Sequence, residues 1–291
     1  MASSIRTISI NSTQLGYCVH GDGSNKTPLV FVHGYCMRST AGPYEELLEL
    51  LAKHYAVYAL DLRGHGASAD ALAGWSIEAL ADDVVAFSRA LELDKPVYVG
   101  HSLGAFTGLF AEIRHPGTFT ALCLLSPAAA MLGHDNPPET VQFFLEHGRN
   151  KDMVRESFRH MFVGPHSRML ELSVDAAVLM DSDVHRMFFE QSRNVSIDNR
   201  LKDVTTPVLL VNGERDIVVA PAKQHDMARK LQRSKEVVFS TEGHMLPNEN
   251  PASAAREILS FLDHDEKAMA AVPLASGGHT ANLLLGEAAS H

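Results

Sequence analysis

Between Pro28 and His33 four apolar residues, Leu29, Val30, Phe31 and Val32, follow one another without a polar break. So short a run, bounded by turn formers, predicts a strand buried on both faces, as inside a parallel sheet. Before it, residues 6–10 and 15–20 read as two strands joined through Asn11 and Ser12, a hairpin-like start. After it the pattern alternates: helix 43–54, strand 55–60, helix 76–93, strand 96–100, helix 103–115, strand 119–125. Within the second of these helices Ile77, Leu80, Ala81, Val84 and Phe87 recur mostly at steps of three and four, which marks a core-facing stripe.

From Ser126 to about Val204 the alternation stops. Pro137 and Pro138 are followed by helical stretches at 140–147, 153–162 and 185–192, with no buried strand among them, which predicts a helical insertion over one edge of the sheet. Alternation resumes with strand 208–212, helix 221–231, strand 236–240 and helix 251–262. The fold class expected is α/β: a mostly parallel sheet of eight strands with helices on both faces. Residues 1–126 and 204–266 would form its core, 127–203 the insertion, and 267–291 an Ala-, Gly- and Ser-rich tail whose removal should leave the core intact.

Composition narrows the partners. Twenty-five Lys and Arg against 35 Asp and Glu give a formal charge of −10, which offers no general attraction to nucleic acid or to anionic membranes. The 16 histidines are scattered, and none falls in the short helical spacing of paired zinc ligands, so no metal is expected. Cys18, Cys36 and Cys123 are too few for a disulfide framework and suit a reducing compartment. No secretory signal precedes the first strand and no window is long enough to span a membrane, so a cytoplasmic location is expected. Phosphate loops and dinucleotide fingerprints are absent from their proper contexts, so no cofactor is expected.

The chemistry concentrates at Gly100-His101-Ser102-Leu103-Gly104, a Gly-x-Ser-x-Gly sequence placed between a predicted strand and a predicted helix. In isolation it could be an inert turn. A serine hydroxyl, however, needs a base, usually a histidine that a carboxylate holds in one tautomer. His244 and Asp216 supply those types, each in a loop just after a predicted strand and therefore at the same sheet edge as Ser102. Glu214, two residues from Asp216, is the alternative acid, and His33 and His65 read as histidines that fix loops through backbone hydrogen bonds. Cys36 is more simply a small buried hydrophobe than a nucleophile.

Five landmarks in order resemble the α/β-hydrolase superfamily over about residues 6–263: His33-Gly34, the stretch from Asp61 to Ser68, the serine elbow, the stretch from Gly213 to Asp216, and Gly243-His244. The resemblance implies Ser102 as nucleophile, His244 as base and Asp216 as acid, with the backbone N–H groups of Tyr35 and Leu103 as oxyanion donors. It implies that the insertion is a lid over an apolar pocket, for which Phe143, Phe144, Phe162, Phe188 and Phe189 are the candidate lining. The activity implied is hydrolysis of a small apolar ester or lactone through an acyl-enzyme. Carbon-carbon bond hydrolases, thioesterases and cofactor-free oxygenases share the residues, whereas dehalogenases and epoxide hydrolases carry an aspartate where Ser102 stands. A small-molecule receptor that keeps the site but turns over slowly is the alternative from another class.

Overall fold

A two-residue turn opens the chain: Asn11 and Ser12 have φ of +46° and +59°, and the left-handed pair that a type I′ turn requires sets strand β1 (Arg6–Ile10) antiparallel to β2 (Thr13–His20). The computed structural model describes residues 4–21, 26–128 and 137–270. Strand β2 runs antiparallel to β4 (Ala56–Leu60), and from β4 onward every pairing is parallel. The spatial order is β1-β2-β4-β3-β5-β6-β7-β8, with β3 (Pro28–Val32), β5 (Val97–His101), β6 (Leu122–Leu125), β7 (Val208–Gly213) and β8 (Ser234–Phe239).

The chain winds outward in opposite directions from the β3–β5 pair, so the connections leaving these two strands part at their carboxyl ends and open a crevice there. Leu29 to Val32, the run that first marked a strand, is fully buried at the centre. Helices α1 (Glu45–Ala52), α2 (Ile77–Ala90) and α3 (Leu103–Arg114) follow β3, β4 and β5. The side chain of Ser76 caps α2 by accepting from the Ala79 N–H at 2.9 Å, and the five stripe residues of that helix are all buried.

Between β6 and β7 the described residues form helices α4 (Pro138–His147), α5 (Lys151–Arg159), α6 (Ser167–Ala177) and α7 (Ser182–Ser192), with no strand among them. Helix α6 was not expected. Its buried face is Ser173, Val174, Ala176 and Ala177, small residues that leave little of the apolar periodicity by which a helix is recognised. Helices α8 (Pro221–Lys230), α9 (Leu246–Glu249) and α10 (Pro251–Ala270) complete the fold. Helix α10 runs eight residues past the end at 262 that its pattern suggested, and residues 271–291, most of the expected tail, lie outside the described residues. Among the described residues no helix is long and apolar enough to cross a membrane.

One buried ion pair ties the loop after β4 to α2. Arg63, in the loop after β4, donates to both carboxylate oxygens of Asp83 on α2 at 2.6 and 2.8 Å, and a third bond runs to the Ala73 carbonyl at 2.8 Å. Removing one partner strands the other charge in the interior, so Asp83→Ala should destabilise the protein by about 3–5 kcal/mol, read as a lower denaturant midpoint. An unchanged midpoint would show that water reaches Arg63.

Candidate active site

Ser102 sits between the last residue of β5 and the first of α3 with φ +51° and ψ −112°, a conformation that strains any residue with a side chain. The flanking glycines make the turn possible. A Cβ on Gly100 would lie 2.6 Å from the backbone of Gly104, and one on Gly104 would strike the Val32 carbonyl oxygen. The main chain of Ser102 is tied by its N–H to the Leu125 carbonyl at 2.9 Å, which aims the side chain out of the carboxyl edge of the sheet.

His244, after β8, places Nε2 at 3.0 Å from the Ser102 hydroxyl and Nδ1 at 2.9 Å from Asp216 Oδ2. A carboxylate only accepts, so Nδ1 carries the proton and Nε2 is left to receive one. Asp216, after β7, has its other oxygen taken by the N–H groups of Val218 and Val219, both at 2.8 Å, while Gln224 donates to Oδ2 at 2.9 Å. Burial alone would push this carboxyl up, but the His244 bond and the backbone N–H groups outweigh it and hold Asp216 below its usual range. Glu214 is exposed, and its carboxylate has no partner among the described residues.

Three further residues hold this arrangement, of which the sequence offered only His101, in the elbow. Gln224 on α8 is the first. The other two form a relay: the Gly34 N–H donates to the Tyr44 hydroxyl at 3.2 Å, the hydroxyl donates to His101 Nδ1 at 2.7 Å, and His101 Nε2–H donates to the His244 carbonyl at 2.9 Å. Burial, and then the nearby His244, push His101 down to about 3, so it stays a neutral strut. Only the elbow pattern pointed toward position 101, and that pattern accepts many residue types there.

The turn after β3 faces Ser102 from the other side. A Cβ on Gly34 would lie 3.2 Å from the Ser102 Cβ. The Met37 N–H closes the turn onto the Gly34 carbonyl at 3.1 Å, with Cys36 at φ +61°. The N–H groups of Tyr35 and of Leu103, the first residue of α3, have no partner among the described residues. The Cys36 thiol is buried, and burial pushes its pKa far up, so little reactive thiolate forms. His33 and His65 bond backbone: His33 Nε2 accepts from Leu62 N–H at 3.0 Å, and His65 Nδ1 lies 3.1 Å from the Arg63 carbonyl.

Buried histidines make the fold acid-sensitive. Burial lowers His33 and His185 to about 4, and burial together with a neighbouring histidine lowers His65 and His101 to about 3. The unfolded chain takes up these protons near an ordinary histidine value of about 6.5, whereas the native state refuses them until far lower pH. The stability concerned is therefore complete above about pH 6.5 and is lost as pH falls toward about 4, at about 1.4 kcal/mol per proton per pH unit. The denaturation midpoint should drop steeply below about pH 6.5, and His65→Asn should flatten the slope.

Between the sheet edge and the insertion lies a cavity of about 680 Å³ that reaches Ser102 and His244. Phe143, Phe144, Phe188 and Phe189 line it, as the sequence suggested. Phe162 does not: it is buried in the core and packs against His166, and Phe158 from α5 lines the cavity instead. Phe162 lies beyond the end of α5 at Arg159, so the helical pattern that marked the stretch does not fix its direction.

A strained serine at a strand-to-helix turn, facing a histidine and an aspartate at the edge of a mostly parallel sheet, defines the class. The chain belongs to the alpha/beta hydrolase fold family, whose model matches residues 27–251. A receptor of Petunia hybrida, Karrikin insensitive 2 receptor IA, is 24% identical over 256 residues, which span 84% of this chain and 93% of the relative. Among solved structures, the enol-lactonase of Burkholderia xenovorans LB400 superposes with a TM-score of 0.77 at 19% identity, over 89% of this chain and 100% of that one. The esterase RhEst1 of Rhodococcus sp. ECU1013 gives 0.78 at 22% identity, over 90% and 99%. At such identities the structural likeness speaks for the fold alone.

Proposed function

We propose that the protein is a serine hydrolase that cleaves small apolar carboxylic esters or lactones through an acyl-enzyme on Ser102. The observation that carries this reading is the unbroken chain from Ser102 Oγ through His244 to Asp216, at 3.0 and 2.9 Å. His244 Nε2 takes the hydroxyl proton as Oγ bonds to the substrate carbonyl carbon, and the carbonyl electron pair moves onto oxygen. The Tyr35 and Leu103 N–H groups would hold that oxyanion. When it collapses, the carbon-oxygen bond to the alcohol breaks and the leaving oxygen receives the proton from His244. Water, deprotonated by the same nitrogen, then attacks the acyl carbon; the bond to Oγ breaks, His244 returns the proton to Oγ, and the acid leaves.

The mostly apolar cavity supports a small apolar substrate, and the esterase and lactonase among the structural neighbours agree with that class. Thioester and carbon-carbon cleavage would use the same residues, so p-nitrophenyl acetate and butyrate are the first substrates to test. Turnover that Ser102→Ala abolishes supports the reading. The receptor relative motivates a second reading, in which the site binds a small molecule and turns it over slowly. Covalent modification of Ser102 by an ester with steady-state turnover below about one per hour would favour it over the typical enzyme rates of about 1–1,000 per second.

A further inference from the structure

Tyr35 does two things at once. Its N–H is unpartnered among the described residues at the cavity wall, while its side chain joins the insertion: the phenol oxygen lies 2.6 Å from His185 Nδ1 on α7, and the ring stacks on Phe188 with centroids 4.2 Å apart. His185 is buried, and this is the one hydrogen bond its side chain makes among the described residues, since Nε2 has no partner. Taking away the phenol therefore strands the imidazole in the interior, while the phenol itself also bonds the neighbouring Cys36 thiol.

Helix α7 is itself fixed to the core. Val184 sits over Gly64, where an added Cβ would come within 2.8 Å of its Cγ2. Gln191 accepts from the Ile77 N–H and donates to the Trp75 carbonyl, both at 3.2 Å, at the start of α2. His185 is thus a post anchored on both sides along its helix. The turn it reaches needs such a post, because the left-handed Cys36 at φ +61° costs about 1 kcal/mol or more and persists only where its surroundings over-determine it. The Tyr44 relay holds Gly34 before the turn, and the phenol bond holds Tyr35 within it.

Resting on the Ser102 hydrolase reading, we propose that His185 is a positioning residue of the oxyanion hole: by gripping the Tyr35 phenol it aims the Tyr35 N–H at the developing oxyanion. The insertion then completes the catalytic apparatus as well as walling the pocket, and the docked position of α7 is a condition for fast chemistry. A residue that only packed the pocket wall would affect substrate binding, whereas misaiming an oxyanion donor lowers the chemical step.

The test uses the full chain as wild type, Tyr35→Phe, His185→Leu, the double variant and Ser102→Ala, each checked for folding by thermal melt. Steady-state kinetics on p-nitrophenyl butyrate are paired with labelling by a fluorophosphonate, in which Ser102 Oγ attacks phosphorus, fluoride leaves and His244 takes the proton. Both single variants should lose about tenfold to a hundredfold in kcat, somewhat less than the loss of a whole oxyanion donor, with KM within about threefold. Labelling should slow in parallel, and the double variant should be no worse than the singles. Should His185→Leu fail to fold, Tyr35→Phe is read beside Cys36→Ala, since it keeps the ring stack but removes the phenol's bonds to both His185 and Cys36; an equal loss in Cys36→Ala would overturn the assignment to His185. Unchanged kcat, a rise in KM only, or additive losses would overturn the proposal while leaving the nucleophile in place. Absence of Ser102-dependent labelling in the wild type would remove the hydrolase reading and the proposal with it.

Discussion

Ser102→Ala should leave a folded protein that no longer reacts with a fluorophosphonate and whose ester turnover falls by about a millionfold, to whatever the remaining pocket and backbone donors supply. The size of the loss follows from the arrangement. Among the described residues His244 Nε2 has no partner besides the Ser102 hydroxyl, so without it the base has nothing to activate but water. The companion variant Ser102→Gly separates chemistry from strain. Glycine tolerates φ +51°, so Ser102→Gly should be equally inactive yet raise stability by about 1 kcal/mol. Labelling at another residue, or turnover retained in Ser102→Ala, would mean that the nucleophile lies elsewhere.

Asp216→Asn should lower kcat by about ten-thousandfold with the fold preserved. The amide oxygen can still accept from Val218 and Val219, but the amide nitrogen then faces His244 Nδ1 and favours the tautomer that presents a proton, not a lone pair, to Ser102. Glu214→Gln should change activity by less than about twofold, because its exposed carboxylate touches nothing in the site. Reversed magnitudes for the two variants would show that the carboxylate seen beside His244 is not the one that serves it during turnover.

Much of this was legible before any coordinates. Short apolar runs located the inner strands because strands buried inside a parallel sheet have little compositional freedom, and the alternation with helical patterns and turn formers located the outer ones. The positions of Ser102, Asp216 and His244 at one sheet edge followed from their place just beyond strand ends. What stayed hidden were contacts between segments distant in sequence. His101 reaches the His244 carbonyl 143 residues away, and Tyr35 meets His185 150 residues away; neither leaves a local pattern. Helix α6 was missed because its inner face is made of small residues, and nothing in the sequence told which of the five phenylalanines would pack in the core, as Phe162 does, and which would line the cavity.

The separation of strand ends from cavity walls also bears on how this protein could be re-engineered. Ser102, Asp216 and His244 all hang from the sheet, whereas most of the aromatic surface around the cavity comes from one contiguous stretch of chain between β6 and β7. A chimera that exchanges this stretch could therefore acquire a new substrate range without disturbing the reactive groups. Besides the Val184 and Gln191 contacts that dock α7, the proposed role of His185 adds a compatibility rule: whatever helix replaces α7 should present a hydrogen-bonding side chain to the Tyr35 phenol. Libraries that randomise the cavity but hold position 185 constant should thus retain far more active members than libraries that let it vary.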